Sequence, residues 1–195
     1  MLQRPKLSLI GIARSPHLFA SLPVSRQIGA LRWPGEEARL VPMVIRVLFE
    51  TWKRSVVRTI DGAAEVNPWL RAALRSILRT KLPPLDRPGS RALPTLKTIG
   101  EDIGRSPRRI SKISRSGGID LREVGKEWVA LLSLILHEVE GVKWDHVALR
   151  AGYADVSGLS HLMFGVYNQW LNQLDGGGIE HGLRQFEALV QKALG

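Results

Sequence analysis

Apolar residues begin to recur every third or fourth position at Glu36, the spacing of a helix with one face turned to a core. Val41, Ile45, Leu48, Phe49, Trp52, Val56 and Ile60 mark that face, with Arg46, Glu50, Lys53, Arg54 and Arg58 between them. Pro42 falls in the first turn, where no helical hydrogen bond needs its missing N–H. A second helix is predicted from Asn67 to about Lys81, with Asn67 as cap and Pro68 at the first position. The stretch Leu82–Pro94, "LPPLDRPGSRALP", reads as a linker because four prolines and a glycine break it. Five further helical patterns follow: Thr95–Ile103, Pro107–Arg115 behind a Ser106 cap, Leu121–Val139, Lys143–Ala151, and Val156–Trp170 behind Asp155. Leu121–Val139 is almost wholly apolar in its middle, so it is expected at the buried centre of a helical domain. "DGGG" at Asp175–Gly178 ends the block, and a last helix puts Ile179, Leu183, Phe186 and Val190 on one side. Residues 1–35 are punctuated by Pro5, Pro16, Pro23 and Pro34, which leaves room only for short elements.

The fold class is therefore all-α. A helical N-terminal region occupies 1–81, the proline-rich linker 82–94, a central domain 95–174, and a glycine-led amphipathic helix 175–195. Within the central domain a short helix leads twice through a tight turn into a second helix. "LKTIGEDIGRSPRRISKIS" (Leu96–Ser114) is the first case and "WDHVALRAGYADVSGLSHLM" (Trp144–Met163) the second. Ile99, Ile103, Ile110 and Ile113 sit where the first pair must touch. Val147, Ala151, Leu159 and Leu162 do so in the second. Gly104 and Gly152 take the turns, where a positive φ costs glycine least. The pattern is two helix-turn-helix units joined by a long central helix.

At these residues the chain resembles the DNA-binding domain of the AraC/XylS family of bacterial transcription regulators. "VALRAGYADVSGLSHLM" carries most of the likeness, with its alanine, glycine and aromatic followed by serine and an apolar residue opening a recognition helix. "IGEDIGRSPRRISKI", followed by "GGIDLREV", is similar to the family's first repeat, and "NPWLRAALRSI" to the helix that often precedes the domain. The likeness covers about residues 95–170. Gly100 stands where the family usually has alanine, Ser114 and Met163 where each repeat usually ends in phenylalanine, so the resemblance is to a distant member. It implies an AraC-like regulator of transcription in the bacterial cytoplasm, associated with the nucleoid. Its expected partners are double-stranded DNA, a second copy of the chain, and RNA polymerase or another regulator. Two half-sites multiply both affinity and specificity, which is the case for the homodimer.

Charge sharpens this picture. The net charge is +10 and the pI about 10.6, which favours a polyanionic partner. Residues 1–90 hold 15 basic and 6 acidic side chains, residues 91–195 hold 13 and 12. The second half is thus near neutral, yet Gly104–Gly118 gathers Arg105, Arg108, Arg109, Lys112 and Arg115 without one acid. On a helical wheel Arg108, Arg109, Lys112 and Arg115 span an arc of about 120°, with Ile110 and Ile113 turned away. A helix-turn-helix lays its second helix in the major groove, early residues on base edges and flanking groups on phosphates. Arg108 and Arg109 are the candidates for base reading, since a guanidinium bonds guanine with two hydrogen bonds. Arg105, Lys112 and Arg115 suit phosphates, and Ser106 opens the helix; the alternatives for this arc are a solvated basic face or an RNA-binding surface. In the second unit the exposed candidates are Val156, Ser157, Ser160 and His161. The two serines would reach a phosphate or base and Val156 a thymine methyl; the alternatives are a capping role for Ser157 and a solvated His161. The first unit is expected to supply most of the affinity.

Other classes have less to recommend them. There is no cysteine, so disulfides, thiolate metal sites and cysteine nucleophiles are excluded. "HEVEGVKWDH" brings His137, Glu138, Glu140, Asp145 and His146 close in sequence, but its spacing matches no zinc motif and a helix end explains it. No phosphate loop or Ser/His/Asp set stands out, so no enzyme and no cofactor is expected. The longest apolar run, Trp128–Leu136, has nine residues, about half a membrane span, and no membrane partner is expected. A basic 41–60 helix lying on anionic lipid remains a rival, because its long apolar face with Trp52 permits it, although a buried seam explains the same residues. The more serious alternative is a DNA-binding architectural or plasmid-maintenance protein without sequence preference, or a transcriptional adaptor.

Overall fold

Proline placement decides where the first elements form. The computed structural model describes residues 9–13, 27–32, 40–83, 93–174 and 178–195. Two short strands, β1 (Leu9–Ala13) and β2 (Gln27–Arg32), pair in parallel, with a register shift between Leu9 and Ile10. Each strand lies between the prolines at 5 and 16 or at 23 and 34, in stretches whose every backbone N–H is free to join a ladder. The pattern of residues 1–35 left space for short elements, and these are strands rather than helical turns.

The fold is otherwise all-α, with eight helices among the described residues. Helix α1 (Leu40–Gly62) carries Pro42 in its first turn, as its spacing requires. The chain divides into two compact units, residues 1–53 and 54–195, and the division falls inside α1 rather than at the proline-rich stretch. The apolar face of α1 is not uniformly covered. Phe49 and Val56 are buried, while Leu48 is 62% and Val41 64% exposed. Phe49 stacks on Trp52 with 5.7 Å between ring centres.

In the unit 54–195, helix α2 (Pro68–Arg79) starts at Asn67, whose side chain accepts from the Trp69 N–H at 2.9 Å. Its Leu70, Ala73, Leu74, Ile77 and Leu78 are buried. The end of α1 is fastened to α2 by Arg71, which donates to the Asp61 carbonyl at 3.1 Å, and by an Arg75–Asp61 ion pair at 3.1 Å. Helices α3 (Leu96–Ile103), α4 (Pro107–Ser116) and α5 (Leu121–Leu134) all pack on α2. This explains why the C-terminal unit begins before the linker. Residues 84–92 of that linker lie outside the described residues. At its two ends, Leu82 is buried, the Pro83 carbonyl accepts from Arg150 at 2.7 Å, and Pro94 lies against Gly125.

Helix α5 is the buried axis expected of it. Leu121, Val124, Trp128, Val129, Ala130, Leu131 and Leu134 are all fully buried. Trp128 packs on Phe186 at 5.3 Å and donates its indole N–H to the Thr80 carbonyl at 3.0 Å. A single π-helical turn, Ile135–Val139, continues the axis and ends at Gly141 with φ +67°. Helices α6 (Trp144–Arg150) and α7 (Val156–Tyr167) share one apolar cluster with α5, built on Val129, Ala130, Leu134, Val147, Ala148, Leu159, Leu162 and Met163. A 3-10 turn at Leu171–Gln173 follows, then α8 (Gly178–Leu194), which buries Phe186 and Val190 against α5, with Ile179 and Leu183 half-buried. Asp175–Gly177 lie outside the described residues.

Candidate nucleic-acid interface

Two helix pairs, α3–α4 and α6–α7, are built on the same local device. Residues after the first helix close a loop back onto it: the Arg105 N–H donates to the Gly100 carbonyl at 2.7 Å, and the Tyr153 N–H to the Ala148 carbonyl at 2.9 Å. The residue before each donor is a glycine at positive φ, Gly104 at +67° and Gly152 at +85°. This six-residue closure is the way a left-handed residue satisfies the last carbonyls of a helix. A side-chain cap then opens the second helix. Ser106 Oγ accepts from the Arg109 N–H at 3.3 Å, and Asp155 Oδ1 from the Gly158 N–H at 2.9 Å. All four contact positions expected in the second pair are buried, as are Ile99, Ile110 and Ile113 in the first, with Ile103 half-buried.

Helix α4 therefore has two opposite surfaces. Ile110, Ile113 and Ser114 face inward, while Ser106, Arg108, Arg109, Lys112 and Arg115 are exposed. A surface hollow is lined by Arg108, Arg109, Lys112, Arg115 and Ser116 of α4 together with its cap Ser106. It is a space between the long side chains of one helix, with no lining residue from any other described element. No ion pair engages Arg108, Arg109 or Lys112 among the described residues. Arg115 bonds within its own helix, donating from Nε to the Ser111 carbonyl at 3.4 Å. A neighbouring hollow shares Arg115 and adds Asp120 and Arg122 from the start of α5.

Arg105 is placed differently from its neighbours. Its guanidinium carbon lies 3.6 Å from the centre of the Trp69 ring, and its NH1 donates to the Gly104 carbonyl at 3.1 Å. Sequence reasoning passed over Trp69. The available signal was a large aromatic in the first turn of α2, immediately behind a polar cap, on a chain already rich in arginine. Arg122 was also passed over, hidden in the alternating charges that open α5.

The outer face of α7 has another chemistry. Ser157 and His161 are exposed and Ser160 is half-buried, but Val156 packs against the α5–α6–α7 cluster rather than projecting. Asp155, not Ser157, makes the capping bond. His161 meets the edge of Trp170 at 5.6 Å, and Trp170 stacks on Phe164 at 4.4 Å. Phe164 and Trp170 remain 40% and 39% exposed. Ser157, Ser160, His161 and Phe164 thus form a neutral, partly aromatic stripe at helical spacing, where α4 carries a cationic one. No match to this chain is found among the protein-family models, the curated proteins or the solved structures.

Gly100, Ser114 and Met163 each have a local structural role. A Cβ at Gly100 would lie 2.3 Å from the Arg105 carbonyl oxygen, so alanine does not fit this turn. Ser114 is buried, donates its hydroxyl to the Ile119 carbonyl and accepts from the Leu121 N–H at 3.2 Å. It thereby ties the end of α4 to the start of α5. Met163 is fully buried in the apolar cluster. In the "HEVEGVKWDH" segment, the Val142 carbonyl accepts from His137 Nδ1 at 2.8 Å, and His137 stacks on Trp144 at 3.9 Å. That histidine closes the loop behind the π turn. Among the described residues no group of three His, Asp or Glu side chains is placed to hold a metal ion. No described helix is long and apolar enough to cross a membrane.

Proposed function

We propose that the chain is a sequence-specific DNA-binding regulator of transcription, a distant relative of the AraC/XylS type. In this reading α3–α4 and α6–α7 are its two helix-turn-helix units and α5 is the axis between them. One observation carries the proposal: α4 follows a tight glycine turn, buries its isoleucines and presents four outward cations, Arg108, Arg109, Lys112 and Arg115, with no acid among them. Such a helix suits the major groove, whose width admits it and whose flanking phosphates attract its charge. Arg108 and Arg109 read base edges at the leading end of α4, while Lys112, Arg115 and Arg105 hold phosphates. Ser106 fixes the angle at which the helix starts. Ser157, Ser160 and His161 of α7 make weaker contacts, and Val156 supports them from beneath. A second copy of the chain, RNA polymerase or another regulator would complete the assembly in the cytoplasm.

Selection from a pool of random duplexes tests sequence reading directly. Enrichment of a defined motif, lost in the Arg108→Ala/Arg109→Ala variant, is the expected outcome. Retention of the pool without enrichment would instead establish an architectural, sequence-independent DNA-binding protein. The neutral face of α7 favours that second reading, because it leaves α4 as the one strongly cationic recognition surface among the described helix pairs.

A further inference from the structure

Helix α2 touches both ends of α4, although its own residues stand outside the two helix pairs. At the leading end, the Trp69 ring lies under the Arg105 guanidinium, 3.6 Å from the guanidinium carbon to the ring centre. At the trailing end, Leu70 fits so closely over Gly117 that an added Cβ there would meet its methyl at 2.6 Å. Two adjacent residues in the first turn of α2 thus brace the turn that enters α4 and the residue that leaves it. The bracing of Arg105 has a chemical consequence. A guanidinium carbon this close to an indole centre engages the π face by charge–quadrupole attraction, which consumes none of its N–H hydrogen bonds. One N–H of Arg105 is taken by the Gly104 carbonyl. Among the described residues nothing else takes the fork, which remains for an oxyanion.

We propose that Trp69 is a positioning residue that holds Arg105 ready as a phosphate-binding group, so that the first turn of α2 belongs to the nucleic-acid interface. This rests on the DNA-binding reading above and adds to it a contact made through α2. Free arginine side chains must be ordered when they bind, at a cost that pre-stacking removes. Trp69 then raises affinity without touching DNA, and acts entirely through Arg105.

The test is a double-mutant cycle on full-length protein with a 20-base-pair DNA duplex, read by fluorescence anisotropy at two salt concentrations. Trp69→Ala is expected to weaken binding about two- to twelvefold, while Trp69→Phe, which keeps a ring beneath the guanidinium, retains most of the affinity. Arg105→Ala is expected to lower the salt slope by about one. In the Arg105→Ala background, Trp69→Ala should change nothing further. Equal losses from Trp69→Ala with and without Arg105 would overturn the proposal, as would no loss from Trp69→Ala alone. Either result leaves DNA binding through α4 intact. A wild-type protein that ignores the duplex would overturn both. Trp69→Leu, which keeps apolar volume against α4 but loses the ring face, separates positioning from stability: it should fold like the wild type and bind like Trp69→Ala.

Discussion

A methyl group at Gly100 would sit 2.3 Å from the Arg105 carbonyl oxygen, far inside contact distance. The chain cannot relieve this cheaply, because the same turn is closed by the Arg105-to-Gly100 hydrogen bond at 2.7 Å. Gly100→Ala should therefore destabilise the protein by about 1–3 kcal/mol, measured by urea unfolding; a midpoint equal to wild type would disprove the close approach. Ser114 raises a related point. Its hydroxyl both donates to and accepts from the backbone at the α4–α5 junction, so Ser114→Ala should cost about 1–3 kcal/mol by leaving buried groups unpaired. Gly104 was legible in the sequence, since a glycine between two amphipathic runs signals a left-handed turn. Gly100 was not, because its constraint comes from where the chain goes five residues later. The role of Ser114 likewise depends on two backbone partners that only the folded α4–α5 junction brings to it.

At the scale of elements, caps made the helices readable. Asn67, Ser106 and Asp155 each stand directly before an apolar period and each makes the capping bond expected of it. The strands β1 and β2 were not readable, because runs of five and six residues between prolines carry too short a pattern. Nor was the contact that fixes α8. There Gln185 donates to the Val166 carbonyl at 2.7 Å and to Glu127 Oε1 at 3.2 Å, uniting α8, α7 and α5. Burial raises the Glu127 carboxyl above its ordinary 4.5; the Gln185 hydrogen bond opposes this and Glu123 adds to it. The other Glu127 oxygen and the neighbouring Tyr167 hydroxyl are buried without a hydrogen-bond partner among the described residues, and burial with the charges of Glu127 and Glu138 pushes the tyrosine up. A glutamate raised in this way favours the fold while protonated. Below 4.5 its effect on stability is constant. As pH rises from there through the raised value, the unfolded chain releases its proton first and stability falls. Glu127→Gln should remove that fall, so the variant gains on wild type between pH 4.5 and neutrality. Parallel melting curves across that range would refute the assignment.

For the whole molecule, the decisive feature is how charge is distributed between two similar helix pairs. The α4 surface is cationic and the α7 surface neutral with an exposed Phe164–Trp170 stack. The basic cluster in Gly104–Gly118 was plain in the sequence. The aromatic stack was not, because Trp170 reaches Phe164 only after the chain leaves α7. Phosphate contacts are long-ranged and release counterions, so the cationic face should dominate affinity. Ser160→Ala/His161→Ala together should weaken DNA binding less than Arg108→Ala/Arg109→Ala; equal losses would mean that α7 grips DNA as hard as α4.

The most direct measurement is a DNA-binding titration of wild type and Arg108→Ala/Arg109→Ala at two salt concentrations. Wild type should bind a duplex with an affinity that falls steeply with salt, and the double variant should bind weakly with a salt slope smaller by about two. An unchanged slope and affinity in the variant would contradict the placement of DNA on α4.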